Sequence, residues 1–134
     1  MMALTADRTT EQKDGELISI PVKANVKCYA GGIAVTSGGY AAPGSVATTL
    51  TYVGMFTETV DNTGGADGAK SVLVRRGRAF KWGNSTGADE VTAVSVMADC
   101  YIVDDETVAD NDGTATRSKA GKIIGVDATG VWVL

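Results

Sequence analysis

The chain has 134 residues, with 12 Lys plus Arg, 16 Asp plus Glu and no histidine. That length suits one compact domain with a sizeable core, and 44% apolar residues with a net charge of −4 exclude a disordered chain. Without histidine, no Ser-His-Asp triad, Cys-His pair or histidine-ligated metal centre can form, and the acidic balance speaks against nonspecific nucleic-acid binding.

Residues 1–15 (MMALTADRTTEQKDG) are polar and aperiodic. They read either as a disordered leader or as an extended arm that orders on a neighbouring subunit. The N-terminus does not have the pattern of a signal peptide, and no apolar run approaches the ~20 residues of a membrane span. A soluble protein made in a cytoplasm is therefore expected. From Glu16 onward Ile18, Ile20 and Val22 alternate with Ser19 and Pro21, the period of a strand with one buried face. Pro21 cannot donate to a ladder, which predicts an edge strand or a strand end. Residues 26–30 and 33–35 predict two more short strands, separated by Gly31-Gly32, and Ser37-Gly38-Gly39 predicts a tight turn into Tyr40.

Residues 50–60 (LTYVGMFTETV) form the longest strand-like stretch, with Gly54 as a candidate bulge. Residues 61–68 (DNTGGADG) predict a loop. Strand character resumes over 71–82, split by Gly77, with Val72 and Val74 on one face and Phe80 and Trp82 sharing a face after the glycine. Residues 91–97 fit a helical turn or a strand. Residues 100–103 and 107–109 predict strands around an acidic turn at 104–106. A second turn at 110–113 leads to strands over 122–126 and 131–134, joined by 127–130. Short strands at about 8–12-residue spacing predict an all-β fold, a compact small barrel or sandwich over 16–134 preceded by the N-terminal arm 1–15. Cys28 and Cys100, with no Cys-x-x-Cys motif, are expected as buried free thiols.

No candidate site carries chemistry. Residues 65–71 (GADGAKS) resemble a phosphate loop, but Ala69 interrupts the required Gly-Lys-Ser order and a strand follows. Aligning Gly113 of Asp110-Asn111-Asp112-Gly113 with the calcium-loop glycine puts Val108 and Lys119 where oxygen ligands belong, so the loop fails. The acids Asp99, Asp104, Asp105, Glu106, Asp110 and Asp112 read as solvated turns, with loose binding of a divalent cation as the alternative. Trp82 and Trp132 read as core or interface residues, and Asn84-Ser85-Thr86 as a sequon without a secretory context. No catalytic, cofactor-binding or metal-ligating residue is assigned. The most informative charge feature is Lys70, Arg75, Arg76, Arg78 and Lys81, five of the 12 basic residues in one short run. It reads as a solubilising edge strand, or as a docking edge for acidic residues of a neighbouring copy, with Arg75, Arg76 and Arg78 meeting the segment that holds Asp104 and Asp105.

The succession Val53-Gly54-Met55-Phe56, Asp61 to Ala69, Val72 to Gly77, Cys100 to Asp105, Thr107 to Ala109, Ala120-Gly121, Gly125-Val126 and Gly130 to Val133 resembles the small capsid cement, or head decoration, proteins of tailed phages and prophages. The resemblance spans about residues 15–134. It implies a compact β domain on the exterior of the expanded virion capsid, made in the bacterial host cytoplasm. It also implies a homotrimer that bridges major capsid protein subunits. No catalysis, cofactor, small-molecule substrate, membrane or direct nucleic-acid partner is implied. On this reading the arm is expected to touch the capsid through Leu4 as apolar anchor and Arg8 and Lys13 as charged contacts. The competing reading is a phage tail or baseplate module that contacts a host surface ligand.

Overall fold

The computed structural model describes residues 3–134. In chain order the first half carries β1 (Leu17–Pro21), β2 (Lys27–Cys28), β3 (Ile33–Ser37), β4 (Tyr40–Pro43), β5 (Thr51–Phe56), β6 (Val60–Asp61) and β7 (Ser71–Arg75). The second half carries β8 (Phe80–Asn84), β9 (Asp99–Ile102), β10 (Thr107–Ala109), β11 (Lys119–Asp127) and β12 (Gly130–Val133). The fold is all-β. Its helical content among the described residues is two single 3-10 turns, Gly87–Asp89 and Ala93–Ser95. The second of these makes the ambiguous 91–97 stretch a helical turn.

The first half forms a five-stranded antiparallel sheet in the order β1-β7-β5-β3-β4. A parallel bridge between Val22 and Ala41 draws the end of β1 towards β4, so the sheet curls back on itself. The second half closes into a small barrel in the order β10-β8-β12-β11-β9, in which β10 and β8 run parallel. Pro21 ends β1, which is an edge strand, so its missing N–H leaves the sheet intact. The β3–β4 hairpin turns on Gly38 and Gly39, both at positive φ (59° and 86°), as a two-residue turn matched to strand twist requires.

The β3–β5 register shifts beside Gly54, which therefore sits at a bulge. A methyl group there would collide with the Arg75 carbonyl of β7, so only glycine allows the strands this approach.

Two apolar cores result. One lies within the curled sheet and is built from Ile20, Val22, Cys28, Ala34, Ala41, Phe56, Val72 and Val74. The other joins the barrel residues Trp82, Cys100, Ile102, Val108, Ile123, Val131 and Val133 to Ile33, Val35 and Ala42 of the sheet. Strands β3 and β4 thus bury both faces: Ala34 and Ala41 point into one core, Ile33, Val35 and Ala42 into the other. Polar contacts reinforce the seam. The Ile33 N–H donates to the Asp105 carbonyl (2.7 Å), Ser118 Oγ donates to the Ala47 carbonyl (2.6 Å), and Trp82 Nε1 donates to the Tyr52 hydroxyl (3.1 Å). Cys28 and Cys100 are buried and free, one in each core.

Phe56 is fully buried. Phe56→Ala is expected to destabilise the protein by about 3–5 kcal/mol, read as a lower urea midpoint with an unchanged slope.

Candidate interaction surface

Side chains near the start of β1 and the end of β7 build the root of the N-terminal arm. The Arg76 N–H donates to the Glu16 carbonyl (2.8 Å), extending the β1–β7 pairing by one bond. Arg76 Nη1 donates to the Gly15 carbonyl (3.1 Å), and Arg78 Nη2 pairs with Glu16 Oε2 (3.3 Å). Between them Gly77, at φ 74°, makes the turn that aims both guanidinium groups back at the arm. The Asp14 carboxylate accepts from the Glu16 N–H (3.0 Å). Upstream of this root residues 3–14 belong to no strand and every one is exposed, Leu4, Arg8 and Lys13 included. A shallow depression of about 350 Å³ lies against Glu11, Gln12 and Lys13.

The basic run is not on an edge, contrary to the sequence-based expectation. Strand β7 lies between β1 and β5, because β1 adds outside it. Arg75 is half-buried opposite Leu17 and Met55, while Arg76 and Arg78 lie in the turn beyond. Lys70 Nζ donates to the Asp61 carbonyl (2.6 Å), and Lys81 pairs with Asp127 (2.9 Å). Among the described residues no ion pair within the chain joins this run to the 99–112 acids.

Asp104 and Asp105 occupy the β9–β10 turn. Asp104 Oδ1 accepts from the Glu106 N–H (2.9 Å), which shapes the turn, and backbone carbonyls tie it to both halves of the fold. Asp105 O accepts from Ile33, and Glu106 O accepts from Gly83 (2.7 Å). Asp105 and Glu106 line a shallow depression of about 360 Å³ with Tyr29, Ala30, Gly31 and Gly32. Sequence reasoning did not bring Tyr29 to this turn, because the contact joins loops distant in the chain. The 110–113 loop is tied to the Gly87–Asp89 turn: Asn111 Nδ2 donates to Asp89 Oδ1 (2.8 Å), and Arg117, just beyond the loop, pairs with Asp89 Oδ2 (3.1 Å).

Ionisation follows these local partners. The Thr63 hydroxyl holds the Asp61 carboxyl below its ordinary range, the Asn111 amide and Arg117 do so for Asp89, and Lys81 and Thr129 for Asp127. At Asp99 burial acts the other way, but Lys122 and Lys119 together outweigh it and the carboxyl is lowered. Burial pushes both thiols up to about 11 and the Tyr52 hydroxyl up to about 12.

The lowered carboxyls stabilise the fold above their unfolded pKa, and that contribution disappears as pH falls through the folded values. The raised thiols stabilise it below their unfolded pKa of 9.0, with loss as pH rises towards about 11. With no histidine present, the unfolding temperature is expected to be flat from about pH 5 to about pH 8 and to fall on either side. A series of thermal melts checks this; a step centred between pH 6 and pH 7 would contradict it.

No protein-family model, curated protein or solved structure matches the chain.

Proposed function

We propose that the chain is a structural virion protein that binds the outer surface of an expanded tailed-phage capsid. It acts as a homotrimer and stabilises the shell by bridging major capsid protein subunits. The observation that carries this reading is the arm: a run of exposed residues, 3–14, outside any strand, leaving a root tied down by Arg76 and Arg78. Such an arm reaches a neighbour at little cost to the domain, because no core contact is given up.

The segments that resemble decoration proteins support the same reading. They fall on β5 with its bulge, the 61–69 loop, β7, the β9–β10 hairpin, β11 and β12. The work is mechanical. A protein that binds the assembled lattice and not free subunits stabilises the lattice by mass action, and many linked contacts make a modest single-site affinity sufficient. Leu4 serves as the apolar anchor of the arm, with Arg8 and Lys13 beside it as charged contacts.

Co-sedimentation with empty expanded capsids tests the proposal. The full chain is expected to pellet at lattice stoichiometry and to raise the temperature at which the shells break. A chain beginning at Gly15 is expected to lose affinity by tenfold or more while keeping its unfolding temperature. Equal binding by the truncated chain would remove the arm's role. Failure of the full chain to bind capsids, with binding to host cells instead, would favour a tail or baseplate module.

A further inference from the structure

An aspartate followed by glycine can react with its own backbone. The glycine nitrogen, with no Cβ beside it to hinder approach, attacks the aspartate Cγ and closes a succinimide ring. The sequence has no Asn-Gly step and three Asp-Gly steps: Asp14-Gly15, Asp67-Gly68 and Asp112-Gly113. The fold treats the three differently.

At Asp67-Gly68 both reacting groups are engaged. The Gly68 N–H donates to the Val22 carbonyl (2.8 Å), and the Asp67 carboxylate accepts from the distant Ala24 N–H (2.7 Å). At Asp112-Gly113 the peptide between the two residues is held from both ends. The Gly113 N–H donates to Asn111 Oδ1 (2.9 Å), and the Asp112 carbonyl accepts from the Thr116 and Arg117 N–H groups (2.9 and 3.0 Å). Neither nitrogen can attack until these bonds open, and the rate is reduced by the small population of the opened state.

Asp14-Gly15 is built the other way. Both residues are exposed and precede β1. Among the described residues the Gly15 N–H has no hydrogen-bond partner. Asp14 Oδ1 accepts from the Glu16 N–H (3.0 Å), and the ring closed by that bond contains the Gly15 nitrogen, so the carboxyl is kept beside its attacker. Just beyond the reacting bond the chain is fixed to the body: Arg76 Nη1 holds the Gly15 carbonyl (3.1 Å), and Arg78 pairs with Glu16 (3.3 Å).

We propose that Asp14 is the residue at which this chain modifies itself, converting to isoaspartate at the root of the arm while the body stays folded. The Gly15 nitrogen forms a bond to Asp14 Cγ, and the amide proton leaves with the hydroxyl of the carboxylic acid as one water. Water then reopens the ring. Cleavage of the Cγ–N bond restores aspartate, whereas cleavage of the bond between the Asp14 carbonyl carbon and the Gly15 nitrogen leaves isoaspartate. Isoaspartate lengthens the main chain by one methylene at the point where the arm meets β1. The reaction needs no partner, so the proposal stands or falls independently of capsid binding.

Storage of the full chain at neutral pH, followed by peptide mapping with mass spectrometry, is the test. Isoaspartate and the succinimide, lighter by one water, are expected at Asp14 and to accumulate there faster than at Asp67 or Asp112 by about tenfold or more. The stored protein is expected to keep the urea midpoint of fresh protein. Gly15→Val is expected to slow the conversion by about tenfold, because a branched side chain crowds the nitrogen. Gly15 is not at positive φ, and an added Cβ would meet only Arg76 Nη1 at 3.8 Å, so this variant should also keep the midpoint. An Asp14 that stays unmodified overturns the proposal, as does conversion at Asp67 or Asp112 at an equal or greater rate. A midpoint that falls in step with conversion at Asp14 would show that the body does not stay intact, and would overturn it equally.

Discussion

The structure depends on one constraint: β3 and β4 must serve two cores at once. Ile33, Ala34 and Val35 are consecutive and all fully buried, which a strand on a half-solvated sheet does not permit. The small side chains of Ala34 and Ala41 face the curled sheet, and the larger Ile33 and Val35 face the barrel. Close approach follows. A Cβ on Gly44 would lie 2.8 Å from the Asp104 carbonyl, so the turn after β4 packs directly on the acidic turn of the barrel. Hydrogen bonds from Ile33 to Asp105, Ser118 to Ala47 and Trp82 to Tyr52 then satisfy polar groups along the seam that burial would otherwise leave without partners.

This arrangement leaves the interior to packing. Both thiols are sealed in it with raised pKa values, and the lowered carboxylates answer to adjacent hydroxyl, amide or ammonium groups. The arm anchored by Arg76 and Arg78 lies outside both cores. The proposed lattice-bridging role calls for two properties together, a body that does not deform and a contact that reaches outward.

Much of the local structure was legible in the residues. The Ile18–Ile20–Val22 alternation, the turn at Gly38 and Gly39, the bulge at Gly54 and the hairpin over 127–130 each rest on short-range chemistry, and the structure has them in place. Non-local pairing was not legible. The placement of β7 inside the sheet depends on β1 returning to it, and the parallel β8–β10 pairing that closes the barrel has no local signal. The same limit applies to the surface. Ile123 and Ile124 are adjacent and chemically equal, and only the β11 register shift accompanies the sorting of one into the core and the other outward. Arg76 and Arg78 stood out as a charge run, but their partners Gly15 and Glu16 become neighbours only through the β1–β7 register.

Sheet and barrel form one cooperative body through the core they share at β3 and β4. Differential scanning calorimetry tests it most directly. A single transition is expected, with calorimetric and van't Hoff enthalpies that agree. Two resolved transitions, or a calorimetric enthalpy well above the van't Hoff value, would contradict it.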